Sequence, residues 1–247
     1  MSRPFLLGPD PEAPFPPAEW ALAEPDGLLC VGGDLSPPRL VRAYAAGLFP
    51  WFNEGQPILW WSPSRRLVFA SNGVHLSRRF RRTLRRSDWE VRFNTAFEAV
   101  VAACAEAPRP GQHGTWITRD MRRAYARLHA LGHAHSVEVW HGPRLVGGLY
   151  GVSVGRGFHA ESMVSLESGA SKVALAALGH RLVALGWSYF DAQVENPHLR
   201  FMGGEVWPRA RFLACFRPLT ASLAPCPDWA GAPFPAAWLA DPPPPAG

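Results

Sequence analysis

Apolar and polar positions along the chain fall into helical and strand-like stretches. Residues 36–47 open with Ser36 and Pro37 and close at Gly47. A polar N-cap, proline in the first turn and glycine just past the end predict a helix. A second helix is predicted from Thr95-x-x-Glu98, which reads as a capping box. Phe97, Val100, Val101 and Cys104 share its face and Pro108 stops it. Thr118 caps a third, which bears Met121, Tyr125 and Leu128 and ends at Gly132. Leu175, Leu178, Leu182 and Leu185 predict a helix over about 170–185, with Gly186 as its C′ residue. Strands are predicted at roughly 135–140 and 144–150 around a His-Gly-Pro-Arg hairpin loop, then near 156–161, and at 187–193. An antiparallel sheet with helices inserted late indicates an α+β fold.

The strand at 187–193 breaks its own pattern. Period-two alternation puts Trp187, Tyr189, Asp191 and Gln193 on one face and Phe190, Ala192 and Val194 on the other. An acid beside aromatic rings is costly unless it is paired. Two readings stay open: a strand end where Asp191 accepts local backbone bonds, or a functional group. Glu161, at the end of the strand near 156–161, poses the same choice. It is either a surface acid paired with an arginine or, with Asp191, half of an electronegative pocket for a cationic substrate group.

Composition narrows the class. The 247 residues are 47% apolar with eleven Trp, enough for a sizeable core. Proline concentrates at the ends. Residues 1–25 are expected to lie extended over a surface, and 220–247, with eight Pro, to be disordered or loosely docked. Net charge is +5, and Lys172 is the only lysine. Residues 65–92 hold nine Arg against Asp88 and Glu90, a local excess of +7 (9 − 2). Six of the nine fall between 78 and 86, on a segment that Ser77 can cap and Leu76, Phe80 and Leu84 can dock. A single-sign run of this density points to phosphates, bound without reading sequence.

Cys30, Cys104, Cys215 and Cys226 form no C-x-x-C pair and read as free thiols. His129 and His133 straddle Gly132, and with His135 they do not make a metal set. No metal and no cofactor is expected. The N-terminal residues hold no apolar leader core, and no run reaches eighteen apolar residues, so a cytoplasmic protein without a membrane partner is expected. The aromatic segment 47–63 reads mainly as core, although Trp rings near loops also line apolar pockets or stack on bases. The glycine-rich 147–157 falls within strands and makes a weak phosphate loop.

Several stretches together resemble the leucyl/phenylalanyl-tRNA–protein transferases: GLLCVGGDLSPPRLVRAYAAGLFPWF, LWWSPSRRLVF, HLSRRFRR, GTWIT, AYARLH, AHSVEVW, LVGGLYGV, ESM, ASKVAL and DAQVENPHL, in order from about 15 to 217. The resemblance implies a small N-terminal domain (1–67) and an N-acetyltransferase-like catalytic domain (68–219) with a mostly antiparallel sheet flanked by helices. The Pro-rich tail (220–247) lies outside it. The activity implied is transfer of Leu or Phe, and less well Met, from aminoacyl-tRNA to the α-amine of proteins with N-terminal Arg or Lys, by a monomer. It implies catalytic roles for Asp191, Gln193 and Glu161, with Asn196 as a polar helper. Trp51, Leu149, Phe158 and Leu178 would line the aminoacyl pocket. Tyr44, Trp116 and Tyr125 would lie near the 3′ adenosine, and Arg78, Arg79, Arg82, Arg85 and Arg86 along the acceptor stem. Ala160, Val164 and Leu178 depart from the usual residues of the family and are expected to reshape the pocket. An acyl-CoA N-acetyltransferase would need a Gly-rich pyrophosphate cradle before the 170–185 helix, where this chain reads SLESGASK. A non-catalytic RNA-binding module would leave Glu161 and Asp191 without a role.

Overall fold

The structure, a computed structural model, describes residues 3–108, 115–227 and 229–241. Four strands, β1 (Phe5–Leu7), β2 (Leu28–Gly32), β3 (Phe49–Pro50) and β4 (Leu59–Trp61), form a small sheet in the order β1-β2-β4-β3. The predicted Ser36–Gly47 helix, α1 (Pro37–Ala45), connects β2 to β3. The larger sheet holds β5 (Arg65–Ala70), β6 (Trp89–Phe93), β7 (Ala134–His141), β8 (Arg144–Val154), β9 (Gly157–Ser165), β10 (Tyr189–Asp191), β11 (Glu205–Pro208) and β12 (Phe234–Pro235). Its order is β11-β5-β10-β9-β8-β7-β6-β12. Every pairing in it is antiparallel except β9 with β10.

Helices cover both faces. On one lie α3 (Phe97–Glu106), α4 (Arg119–Ala130) and α7 (Arg209–Leu219), whose Val100, Tyr125 and Phe212 share a core with Tyr44 and Trp60 of the small sheet's side. On the other lie α2 (Arg78–Leu84), α5 (Ala170–Ala184) and α6 (Pro197–Phe201), packed through Leu84, Leu178 and Leu199. Because both faces are buried, β8 is apolar or small along nearly its whole length. Its glycines are packing positions rather than a phosphate loop: a Cβ at Gly151 would lie 2.6 Å from the Phe158 ring.

Some expectations need correction. Thr95 makes no capping box; its hydroxyl donates to Glu138 at 2.7 Å, and Ala96 holds the N-cap position. Glu138 is fully buried on β7 and needs donors more than the helix needs a cap. The strand at 187–193 shortens to 189–191, because Gln193 turns to φ +60. Trp187 precedes it and packs with Phe190, not with Tyr189. The strand near 156–161 runs on to Ser165, past a bulge at which Tyr150 opposes Ser162 and Gly151 opposes Ala160. Glu161 is the extra residue of that bulge.

Up to Asp241 the described residues of the tail are not loosely docked. Trp229 is 1% exposed, stacked on Phe158 at 4.9 Å and on His135 at 4.4 Å. Phe234 pairs with Val91 at the sheet edge, and Leu239 and Ala240 are buried. Burying these rings outweighs the low order that proline-rich composition suggests. The final prolines, 242–245, lie outside the described residues.

Candidate active site

The parallel strands β9 and β10 pair only at Phe158–Phe190 and His159–Asp191, then part. Two carboxylates stand where they separate. Asp191, fully buried, accepts from Arg66 Nε (2.8 Å) and Nη2 (2.7 Å), from His159 Nδ1 (2.9 Å) and from the Gln193 backbone N–H (2.8 Å). Burial works to raise its pKa, but the Arg66 charge and hydrogen bonds, with those of His159, outweigh it and hold the carboxyl well below its ordinary range.

Arg66 is itself buried, between the rings of Phe49 (4.8 Å) and Phe212 (4.4 Å), and donates to the Gly47 carbonyl at 2.9 Å. One guanidinium thus ties the α1–β3 turn and α7 to the end of β10. His159 Nε2 is buried with no partner among the described residues.

Glu161 is part-buried. It accepts from Tyr44 (2.8 Å), Tyr125 (2.6 Å) and Gln193 Nε2 (2.7 Å). The bulge turns it toward these tyrosines, which α1 and α4 supply. Burial pushes its pKa up to about 7 against the pull of the three donors. Burial and the Glu161 charge push Tyr44 and Tyr125 well above the ordinary tyrosine value, so both stay donors. Gln193, 8% exposed, bridges the two acids: its backbone N–H goes to Asp191 and its side-chain amide to Glu161.

The other candidate residues divide. Asn196 caps α6, accepting from the His198 (2.8 Å) and Leu199 (3.4 Å) N–H groups. Leu149, Phe158 and Leu178 share one apolar cluster and are closed to solvent. Trp51 is apart from them, 42% exposed and packed edge-on to Trp61 at 5.9 Å. Part-buried Trp116 packs against the other core cluster, of which Tyr44 and Tyr125 are fully buried members. Arg78, Arg79 and Arg82 are exposed on α2 and Arg86 in the turn after it, whereas Arg85 is paired with Asp241 of the tail at 2.7 and 2.8 Å. His129 and His133 donate to the carbonyls of Ala134 (2.7 Å) and Ser153 (3.1 Å), and His135 meets the Ser153 hydroxyl at 2.9 Å. At the start of α5 the Ser171 N–H is taken by Ser165 Oγ at 2.9 Å.

Arg66 and His159 are the site residues that sequence reading missed. The available signal was Arg66, second in a strand that continues Leu67-Val68-Phe69, where an arginine requires a buried partner.

The family model described as "Leucyl/phenylalanyl-tRNA protein transferase" matches residues 68–217, and that of the corresponding N-terminal domain matches 33–64. A leucyl/phenylalanyl-tRNA–protein transferase from Xanthomonas euvesicatoria is 62% identical over 92% of this chain and 91% of its own. One from Xanthomonas oryzae is 64% identical over 85% and 84%, and one from Xylella fastidiosa 60% over 88% and 90%. Among solved structures, a functionally unknown conserved protein from Staphylococcus epidermidis covers 73% of this chain and 68% of its own, at 10% identity and a TM-score of 0.41. Identity of this order along nearly the whole length shows that the chain belongs to the leucyl/phenylalanyl-tRNA–protein transferase family.

Proposed function

We propose that the protein moves leucine or phenylalanine, and methionine less well, from aminoacyl-tRNA to the α-amine of proteins that begin with Arg or Lys, which feeds them to N-end-rule degradation in the cytoplasm. The observation that carries this reading is Gln193 bridging a neutralised Asp191 to Glu161. An aminoacyl ester is already activated. An α-amine, with ordinary pKa about 7.7–8.0, is partly neutral near pH 7. The reaction then asks mainly for alignment. The amine nitrogen attacks the ester carbonyl, the bond to the ribose oxygen breaks, and the amine's proton passes to that oxygen.

Gln193 spends its Nε2 on Glu161, which leaves its carbonyl oxygen to accept an N–H of the amine and aim the lone pair. Asp191 spends both oxygens internally and acts through Gln193. Glu161 meets the positive first residue of the acceptor. An arriving guanidinium or ammonium favours its ionised form and draws its pKa down from about 7. Exposed Trp51, from the N-terminal domain (1–67), meets the aminoacyl side chain, and Leu149, Phe158 and Leu178 back that pocket from within the core. Part-buried Trp116 takes the terminal adenosine, Tyr44 and Tyr125, fully buried, hold Glu161, and the exposed arginines at 78, 79, 82 and 86 take phosphates.

An acyltransferase-like architecture for 68–219 suits a sheet that opens between two parallel strands, where an extended donor can enter. An acyl-CoA donor is disfavoured, because the first amides of α5 are used by Glu167 O, Ser165 Oγ and Gly169 O. The test is incubation with Leu-tRNA and peptides starting with Arg, Lys or Ala. Transfer to the basic starts alone is expected. Transfer to none, or to all three equally, overturns the proposal.

A further inference from the structure

We infer that Phe201, braced by His75, is a stacking platform for an unpaired base near the 3′ end of the donor tRNA, between the α2 arginines and the Gln193 loop; this rests on the proposed use of aminoacyl-tRNA. Phe201 ends α6, the short helix that follows Gln193, and 64% of it is exposed. Single exposed rings are ordinary on protein surfaces, but this one has a ring neighbour and stands on a tightly packed turn. The His75 ring stands edge-on to it at 6.4 Å and 79°. The His75 N–H donates to the Met202 carbonyl at 2.7 Å, and the Met202 side chain is buried. Gly203, at φ +107, lies so near the loop before α2 that a Cβ there would come within 2.2 Å of the Gly73 carbonyl oxygen. The turn after α6 and the loop before α2 therefore touch backbone to backbone, which positions the end of α6 that carries the exposed ring.

Its surroundings are cationic. His75 lies just before Ser77, the cap of α2, whose Arg78 and Arg79 are exposed. Residues 72–82 contain four arginines and no acid; 197–204 contain one arginine and no acid. Lys172 stands between the two helices. Its Nζ is 5.5 Å from the Phe80 ring of α2. With burial as the larger cause, its charge helps hold His198 of α6 below the ordinary histidine pKa. Two acids flank the segment: Glu195 is shared by Arg65 (3.1 Å) and Arg200 (2.8 Å), and Glu205 accepts from the Trp207 indole at 3.0 Å. A fixed aromatic face with positive charge around it suits single-stranded nucleic acid, because every base has a π-face and phosphates flank it. A duplex bound along α2 must send its unpaired end across this ground to reach Gln193.

The experiment compares wild type, Phe201→Ala, Phe201→Trp and His75→Ala in transfer to an Arg-starting peptide. Two donors are used: Leu-tRNA and leucyl-adenosine, which lacks the upstream bases. Phe201→Ala should raise KM for Leu-tRNA by about 5- to 100-fold with kcat kept, leave leucyl-adenosine kinetics and the thermal midpoint unchanged, and be restored by Trp. His75→Ala should give a smaller change of the same kind. An unchanged KM for Leu-tRNA, or an equal loss with leucyl-adenosine, overturns the platform. Titration with uncharged tRNA, intact or trimmed of its unpaired 3′ end, separates the two readings. Absence of transfer by the wild type overturns the proposed function, whereas equal affinity of Phe201→Ala and wild type for intact tRNA overturns the platform.

Discussion

Replacing Asp191 by Ala removes four hydrogen bonds from one carboxylate and strands the Arg66 guanidinium between Phe49 and Phe212, with the Gly47 carbonyl left to accept from it. Hydrogen bonds to charged groups are worth about 1.5–3 kcal/mol each, but these share two oxygens, so their sum overshoots. Breaking a buried ion pair by deleting one partner costs about 3–5 kcal/mol, and that is the expected loss. With Arg66 1% exposed and Asp191 fully buried, solvent does little to relieve it. Urea unfolding followed by Trp fluorescence measures it for Asp191→Ala, Arg66→Met and the double variant. The double variant should lose less than the sum of the singles, by about 0.5–3 kcal/mol of coupling. Because the Asp191 pKa is depressed, its contribution is present above the ordinary value of 3.8 and lost as pH falls through the lower folded one. The gap between wild type and Asp191→Ala should therefore narrow in strong acid. A loss under about 1 kcal/mol, or simple additivity, would refute the account of Asp191 as the pin that holds Gln193.

Glu161 has the opposite sign. Its folded pKa is raised from 4.5 to about 7, so the stability it contributes is full below pH 4.5 and lost as pH rises through 7. Glu161→Gln should flatten that fall in urea midpoints measured from pH 4 to 8; an unaltered slope speaks against it. Trp229→Ala opens a large void beside Phe158 and should cost about 3–5 kcal/mol by urea unfolding. A loss below about 1 kcal/mol would mean the tail is not part of the core. Neutralising Arg78, Arg79 and Arg82 together should weaken tRNA binding and lower the salt slope by about one for each phosphate no longer neutralised; the same slope as wild type would move the RNA off α2.

Much of this protein is written in its linear pattern. The helices at 37–45, 119–130 and 170–184 follow from the first-turn prolines after Ser36, which itself makes no side-chain cap bond, from the Thr118 cap, and from stop glycines and apolar spacing, all local signals that nearby residues settle among themselves. The α+β class and the solvated arginines of α2 follow likewise, as does the singling out of Asp191, Gln193 and Glu161 as polar groups in apolar strands. Tertiary structure decided who meets whom. Nothing near Asp191 in the chain announces Arg66, 125 positions away, and a buried carboxylate takes whichever cation the fold delivers. A bulge in β9 turned Glu161 toward two tyrosines from separate helices. Trp229 turned a proline-rich tail into core, because the hydrophobic gain from one large ring depends on a cavity that distant elements build. Local pattern selects the elements; partners across long sequence separation exist only once the chain has closed on itself.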